Sequence, residues 1–395
     1  MTRRAVLYLA SPDDARAALR TVAGRPVAFR ALLAAVRAGA STVFVPGAFR
    51  GGALERAIAG SRSARAATVW LDETGAPPEE PVLLVPAAAL VPTPALQPLL
   101  RAAATSVLAE SRAEAAPIAV AAPCLLRALW PSLARGRPVG PELARALAKD
   151  GPATIPGAAW YERMGDPGAV RRVEARLYAG LGSPIDTRLD MALHRRLSRP
   201  LSRWAVAQGI TPNQLSLAAL LVGLAGVWCL WHGSPMTAVL GLLLYAASVV
   251  LDHSDGEVAR LTLAESRLGE WLDVLADTMI HALLTVAIGA TAETAAGGRS
   301  AALGWIAALG VVTSAILAKT SPPRTAGNGV GAVLESLGNR DGFYAMLLLF
   351  IVTLALRPAL LPLLMIVVAA GANAYWLGHL AHRVGQRLRA GAPRP

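Results

Sequence analysis

From about residue 210 onward the chain is a succession of long uncharged apolar runs, and that distribution constrains its fold more than any other feature. A helix needs roughly 17–25 mostly apolar residues to cross the ~30 Å hydrocarbon layer of a bilayer. Six such spans can be drawn, over residues 213–231, 236–254, 270–290, 300–318, 341–357 and 359–379. Residues up to about 185 instead mix charged and apolar positions as a soluble domain does. Whole-chain figures of 54% hydrophobic residues, 16% charged residues and a mean hydropathy of +0.46 average over these two regimes. The expected plan is an N-terminal α/β domain over residues 1–150, a linker and juxtamembrane helix over 151–208, and an all-α membrane domain of six transmembrane helices over 209–395.

The formal net charge is +12 and the isoelectric point near 10.8, a balance often associated with nucleic acid. Here the excess is largely arginine flanking the apolar runs, so membrane lipid with anionic headgroups is the expected partner and nucleic acid is not. Basic residues are dense before the first span (Arg188, Arg195, Arg196, Arg199, Arg203), between the second and third (Arg260, Arg267), between the fourth and fifth (Lys319, Arg324, Arg340), and after the sixth (Arg383, Arg387, Arg389, Arg394). The opposite connections carry only Arg299 and Arg357. By the positive-inside rule both termini face the cytoplasm across the cell (inner) membrane. Met1–Arg4 leads into a short apolar stretch interrupted by Asp13 and Asp14, not into a secretory signal. Cys124 and Cys229 fall one in each half, which argues against a disulfide framework or a thiolate metal site.

Leu189, Leu193, Leu197 and Leu201 recur at i+4 among the arginines before the first span. Such a helix is expected to lie on the membrane surface, kinked at Pro200; the alternative is an amphipathic helix packed on the soluble domain. Thr211-Pro212-Asn213-Gln214 then reads as a capped helix start, with Thr as N-cap, Pro in the first turn and Gln closing a capping box.

The chemistry is concentrated in residues 252–277, DHSDGEVARLTLAESRLGEWLDVLAD. On a helix, Asp252, Asp255, Gly256, Ala259 and Arg260 share one face, so two carboxylates, a bare backbone patch and a guanidinium point the same way. Gly269, Asp273 and Asp277 follow as successive i+4 steps on a second helix, which a short turn could bring opposite the first. A carboxylate within a bilayer span costs roughly 2.5–3.5 kcal/mol on insertion scales, and four facing one another repel unless a cation lies between them. Oxygen ligands of this kind suit Mg²⁺ or Mn²⁺. Two other readings of the acids remain: solvated residues ending two spans, or the ion path of a transporter. His253 and His281 flank the motif and are expected to be packed or interfacial residues, not ligands.

The pattern D-x2-D-G-x2-A-R-x8-G-x3-D-x3-D resembles the signature of the CDP-alcohol phosphotransferase family and matches it at every fixed position. The resemblance implies an integral membrane enzyme of six helices with two divalent ions, Mg²⁺ or Mn²⁺. It implies a CDP-alcohol donor (CDP-diacylglycerol or a CDP-polyol), an acceptor hydroxyl on an alcohol or polyol phosphate such as inositol phosphate, CMP as leaving group, and a homodimer. It assigns Asp252, Asp255 and Asp273 to metal and Asp277 as metal ligand or general base. Gly256, Ala259, Arg260 and Gly269 fall to the nucleotide. Lys319, Arg324 and Arg340, in cytoplasmic connections, are candidates for an acceptor phosphate, the alternative being the ordinary basic flank of a span.

In the soluble half, apolar stretches Ala5–Ala10, Thr42–Val45, Ala67–Leu71, Val82–Val85 and Ile118–Ala121 alternate with helical patterns such as Phe29–Arg37 and Gly52–Ala59. That alternation predicts a Rossmann-like α/β fold with a mainly parallel sheet. The segment from Gly24-Arg25-Pro26-Val27 to Thr42–Val45 is similar to sugar-phosphate nucleotidyltransferases after their phosphate loop. The loop itself here is Ala10-Ser11-Pro12-Asp13-Asp14, without glycine, and Val85–Leu90 reads VPAAAL where a metal-binding Asp is expected. The domain is therefore expected to be a degenerate nucleotidyltransferase-like unit that does not transfer nucleotides. The order of the two halves looks like that of bifunctional inositol-phosphate cytidylyltransferase and di-myo-inositol-phosphate-phosphate synthases, which keeps open a chain that also makes its own CDP-alcohol from CTP.

Overall fold

The computed structural model describes residues 4–71, 76–102, 104–111, 115–157, 160–182, 189–320 and 340–390. Two compact units emerge, one of Met1–Leu181 with Leu261–Leu263, the other of Gly182–Arg260 with Ala264–Pro395.

The first unit is built on a seven-stranded mixed sheet of β1 (Arg4–Tyr8), β2 (Thr42–Val45), β3 (Thr68–Trp70), β4 (Val82–Pro86), β5 (Ser106–Leu108), β6 (Ala119–Ala121) and β7 (Ala153–Ile155), in the order β7-β5-β6-β4-β1-β2-β3. β1 pairs in parallel with β2 and β4, with Ala5 opposite Val43 on one side and Leu83 on the other. β2–β3 and β5–β7 are also parallel. The mainly parallel expectation is met except at β6, which runs antiparallel to both neighbours. The cause is chain length: only residues 109–118 join β5 to β6, and a parallel crossover takes about a dozen residues or more. β1 and β4 are almost wholly buried, as their unbroken apolar sequences require of strands covered on both faces.

The longer helices of the unit are α1 (Val27–Ala38), α2 (Thr93–Arg101), α3 (Pro123–Ala134), α4 (Gly140–Asp150) and α5 (Ala169–Ala179). On α3, Leu125, Leu126, Leu129, Trp130 and Leu133 form one stripe at helical spacing, and Trp130 meets Phe44 of β2 edge-on at 5.7 Å. Tyr8 ends β1 within this core, donating its hydroxyl to Pro117 O at 2.6 Å. Burial, with Tyr161 and Asp14 nearby, pushes that phenol well above its usual pKa, so it stays a donor.

The second unit is helical: α6 (Arg195–Gln208), α7 (Pro212–Trp231), α8 (Pro235–Thr262), α9 (Arg267–Ala296), α10 (Ser300–Thr320), α11 (Arg340–Leu356) and α12 (Leu361–Ala390). A π-helical turn, Asp190–His194, leads into α6, which continues through Pro200. The expected capping box at Thr211 and Gln214 is present, with both reciprocal bonds formed and Pro212 in the first turn. α7 and α8 cross closely enough to demand glycine, since a Cβ on Gly226 would sit 3.0 Å from Gly241 O and one on Gly241 2.9 Å from Gly226 O. Tyr245, Leu284, Leu347 and Phe350 centre the core, while large apolar side chains such as Leu221, Leu243, Leu275, Leu309 and Leu363 point outward. An apolar surface on that scale is what a lipid environment solvates.

Among the described residues, five segments are long and apolar enough to cross a membrane: α7, α8, α9, α10 and residues 358–378. α11, drawn as the fifth of six spans, has 17 residues, about 25 Å of helix. α8 runs past the drawn second span to Thr262 and α9 begins at Arg267, before the drawn third, so Asp252–Arg260 and Gly269–Asp277 lie on two successive helices as expected. Hydropathy marks where the apolar run stops; the helix stops only where its backbone is capped.

Candidate active site

The two motif helices are folded back on each other by residues 263–266. Leu263 takes a left-handed conformation, φ 56°, as Ala264 N donates to Ala259 O at 2.9 Å, and this closes α8 in the way a C-terminal glycine commonly does. Ser266 then caps α9, its hydroxyl accepting from Gly269 N at 3.0 Å. Asp252, Asp255 and Asp273 meet across the two helices, each offering a carboxylate oxygen within 4.8 Å of the others. Asp255 is buried and the other two half-buried.

Three carboxylates this close repel unless they are protonated or neutralised. The protein supplies part of the countercharge: the Arg340 guanidinium, from the start of α11, is paired with Asp252 and lies 3.9 Å from Asp277 Oδ1. Ser216 of α7 donates to Asp255 Oδ2 at 2.5 Å. Asp277 is set apart from the three, with Oδ1 3.6 Å from Nδ1 of His281, whose Nε2 lies 2.8 Å from the Tyr245 hydroxyl. Ser216, Tyr245, Ser248 and Ile280 line a cleft with all four acids.

The donor set fits a hard divalent cation: three carboxylate oxygens from two helices leave coordination positions for water and substrate phosphate. Two further observations point to an anionic ligand. The Nε of Arg260 is buried without a hydrogen-bond partner among the described residues. A Cβ built on Gly256 meets nothing within 4 Å, so this glycine is not required by packing and leaves bare backbone facing open space. Ala259, between them, is half-buried. Gly269 differs, because a Cβ there would come within 3.1 Å of the capping Ser266 Oγ.

Of the basic residues considered for an acceptor, Arg340 joins the acids. Lys319 is paired with Glu270 and lies 5.5 Å from the Trp271 ring centroid. Arg324 lies outside the described residues. Ser216 and Tyr245 escape a reading of the sequence, since a lone hydroxyl in an apolar run has no partner until the helices are placed. His253 and His281 are buried and hydrogen-bonded within the protein. A second set of potential ligands, Asp190, His194 and His253, satisfies itself: Asp190 Oδ1 lies 2.8 Å from a ring nitrogen of each histidine, and His194 Nε2 2.9 Å from the Tyr344 hydroxyl.

In the first unit the loop after β1 is occupied by its own side chain. Asp14 is buried; Oδ2 accepts from Ala10 N at 2.8 Å, and Oδ1 accepts from Ser11 Oγ at 2.7 Å and from Arg163 at 2.8 Å. Residues 85–90 bring no carboxylate; Ala89–Leu90 pairs with Glu162–Arg163 in a small antiparallel ladder.

Residues 209–372, which contain all four acids, match the family model described as CDP-alcohol phosphatidyltransferase. Among curated proteins, the chain is 40% identical over 82 residues to a CDP-diacylglycerol–serine O-phosphatidyltransferase of Mycobacterium leprae, covering 21% of this chain and 26% of that protein. It is 27% identical over 134 residues to a bifunctional IPC transferase and DIPP synthase of Archaeoglobus fulgidus, covering 34% of this chain and 26% of the relative. A protein of the same description from Aquifex aeolicus is 34% identical over 88 residues, 22% of this chain and 19% of its own length. The matched stretches thus span about a quarter of these relatives or less. Residues 209–372 are a CDP-alcohol phosphatidyltransferase domain, the domain of a family of phosphotransferase enzymes.

Proposed function

We propose that the chain is a membrane phosphotransferase that passes the phosphoalcohol group of a CDP-linked alcohol to the hydroxyl of a second substrate and releases CMP. The observation that carries this reading is the convergence of Asp252, Asp255 and Asp273 within 4.8 Å beside the open backbone at Gly256. These three carboxylates would hold Mg²⁺ or Mn²⁺, as a pair of ions, and bound metal would neutralise charge on the diphosphate and the leaving CMP. Gly256, Ala259, Arg260 and Gly269 form the nucleotide side, with the unpaired Arg260 Nε offered to phosphate. In the transfer, the acceptor oxygen bonds to the phosphorus carrying the alcohol, the bridging bond to the CMP oxygen breaks, and Asp277 takes the hydroxyl proton. Arg340 stands between Asp252 and Asp277, suited to an acceptor phosphate, and Lys319 and Arg324 are further candidates.

The name of one relative supplies a candidate chemistry, CDP-diacylglycerol as donor and serine as acceptor; inositol phosphate is the candidate acceptor that the motif's family resemblance implies. The proposed orientation puts both termini and the acids at the cytoplasmic face of the cell membrane, in a homodimer, with residues 1–150 as a nucleotidyltransferase-like domain inactive toward CTP. Position along α8 disfavours a transport site. Asp252 and Asp255 lie about 26 and 30 Å from the Pro235 end, close to a full hydrocarbon thickness and far from a midplane.

The test is mass spectrometry of products after purified protein is given a panel of CDP-alcohols with inositol phosphate, glycerol phosphate or simple alcohols. A phosphodiester and CMP are expected with one pair. Asp277→Asn should lower CMP release by about 10²–10⁴-fold while donor binding is largely kept, because a base acts in the transition state. Turnover of Asp277→Asn at the wild-type rate would remove its role.

A further inference from the structure

We infer that Glu257, tied to Arg195, Ser198 and Ser202 of α6, is a positioning residue that sets the rotation of α8 and so the aim of Asp252 and Asp255 at Asp273. The inference rests on the reading that these aspartates hold metal.

Glu257 follows Gly256 directly in the motif and is fully buried. Its Oε1 accepts from Arg195 Nη1 at 2.8 Å and Ser198 Oγ at 2.9 Å, and its Oε2 from Ser202 Oγ at 2.7 Å. All three donors are themselves buried. They stand at i, i+3 and i+7 on α6, one stripe about 10 Å long, and Ser254, one turn before Glu257, adds a bond from its hydroxyl to Ser198 O at 3.4 Å. Apolar contact continues the seam through Ala205, Leu215 and Val258.

Such a seam is a poor way to gain stability. A buried ion pair loses hydration on both partners, and well-packed apolar residues of similar volume often serve as well or better. What the seam does supply is direction, because two carboxylate oxygens held by three donors from a second helix define one rotation of α8. At 100° per residue Glu257 lies 200° from Asp255 and 140° from Asp252, on the face of α8 away from the metal acids. A carboxylate stands about 5–6 Å from the helix axis, so a 20° rotation would carry it about 2 Å. Metal–ligand distances tolerate about 0.2 Å. Fixing the back of the helix therefore fixes the front.

The experiment measures Mn²⁺ binding to the full-length protein in detergent by electron paramagnetic resonance of the free ion, with melting temperature recorded in parallel. Glu257→Gln removes the negative charge that faces Arg195; the double variant R195M/E257M replaces the pair by apolar side chains and guards against a folding defect in the single variant. Both should bind Mn²⁺ at least about tenfold more weakly, the range seen when groups that orient metal ligands are lost. The double variant should do so with a wild-type melting temperature, a combination that a purely structural role would not produce. Asp255→Asn is the control for the site itself. If it binds Mn²⁺ as the wild type does, the metal reading fails; if it loses binding while both seam variants keep wild-type affinity, the inference about Glu257 is overturned.

Discussion

Replacing Gly256 by alanine should move stability and activity in opposite directions. Gly256 lies in the interior of α8, where glycine is about 1 kcal/mol less favourable than alanine because it leaves more backbone freedom to lose. The added methyl meets no atom of the protein within 4 Å, so no clash offsets that gain. The fold should become more stable by about 0.5–1 kcal/mol, seen as an apparent melting temperature ~1–4 °C higher for a unit of this size. The same methyl projects into the space beside Asp252, Asp255 and Arg260, where the nucleotide is proposed to lie against bare backbone. One methyl forced into a close contact costs about 1–3 kcal/mol, or about five- to 150-fold in kcat/KM. The assay pairs thermal unfolding in detergent with CMP release over a range of CDP-alcohol concentrations. A stabilised Gly256→Ala variant with undiminished kcat/KM would refute the placement of the nucleotide, and a destabilised one would refute the open space.

Ser216→Ala removes the hydroxyl that Asp255 Oδ2 accepts from at 2.5 Å, and should weaken Mn²⁺ affinity by about tenfold with little change in fold; an unchanged titration would show that Asp255 needs no help in aiming. For the first unit, incubation of the whole protein with CTP, Mg²⁺ and inositol phosphate should release no pyrophosphate, because the amide of Ala10 is already taken by Asp14 and residues 85–90 offer no carboxylate. Robust release that survives Asp277→Asn would show instead that this domain transfers nucleotides.

The meeting of Asp252, Asp255 and Asp273 could be read from the sequence, because scarce acids at helical spacing on two successive helices fall on stripes that a short turn can bring face to face. Their supporting residues could not. Ser216 reaches Asp255 across 39 positions, Arg340 reaches Asp252 across 88, and Glu257 meets Arg195 across 62. A single sequence does not say which faces of which helices meet. Glu257 carried the strongest missed signal, an acid on the face of α8 opposite the motif, where a membrane helix has no reason to charge itself without a partner. In the first unit five strands were visible as apolar runs, whereas Ser106–Leu108 and Ala153–Ile155 are short and bounded by Thr105, Pro152 and Pro156, which leave no apolar run to see. The reversal at β6 follows from a length that could have been counted.

The loop after β1 carries a tethered competitor. Asp14 lies four residues from the amide it occupies, and Ser11 and Arg163 hold the same carboxylate from the other side. A group on so short a tether acts at an effective concentration of about millimolar or above, replenished the instant it leaves, whereas a phosphate arriving from solution must be present at comparable concentration and must also bring its charge close to a buried anion. Such a loop behaves as a receptor already saturated by its own chain. One side chain is enough to keep it so, and the backbone of the loop can retain its shape long after any ligand for it has gone.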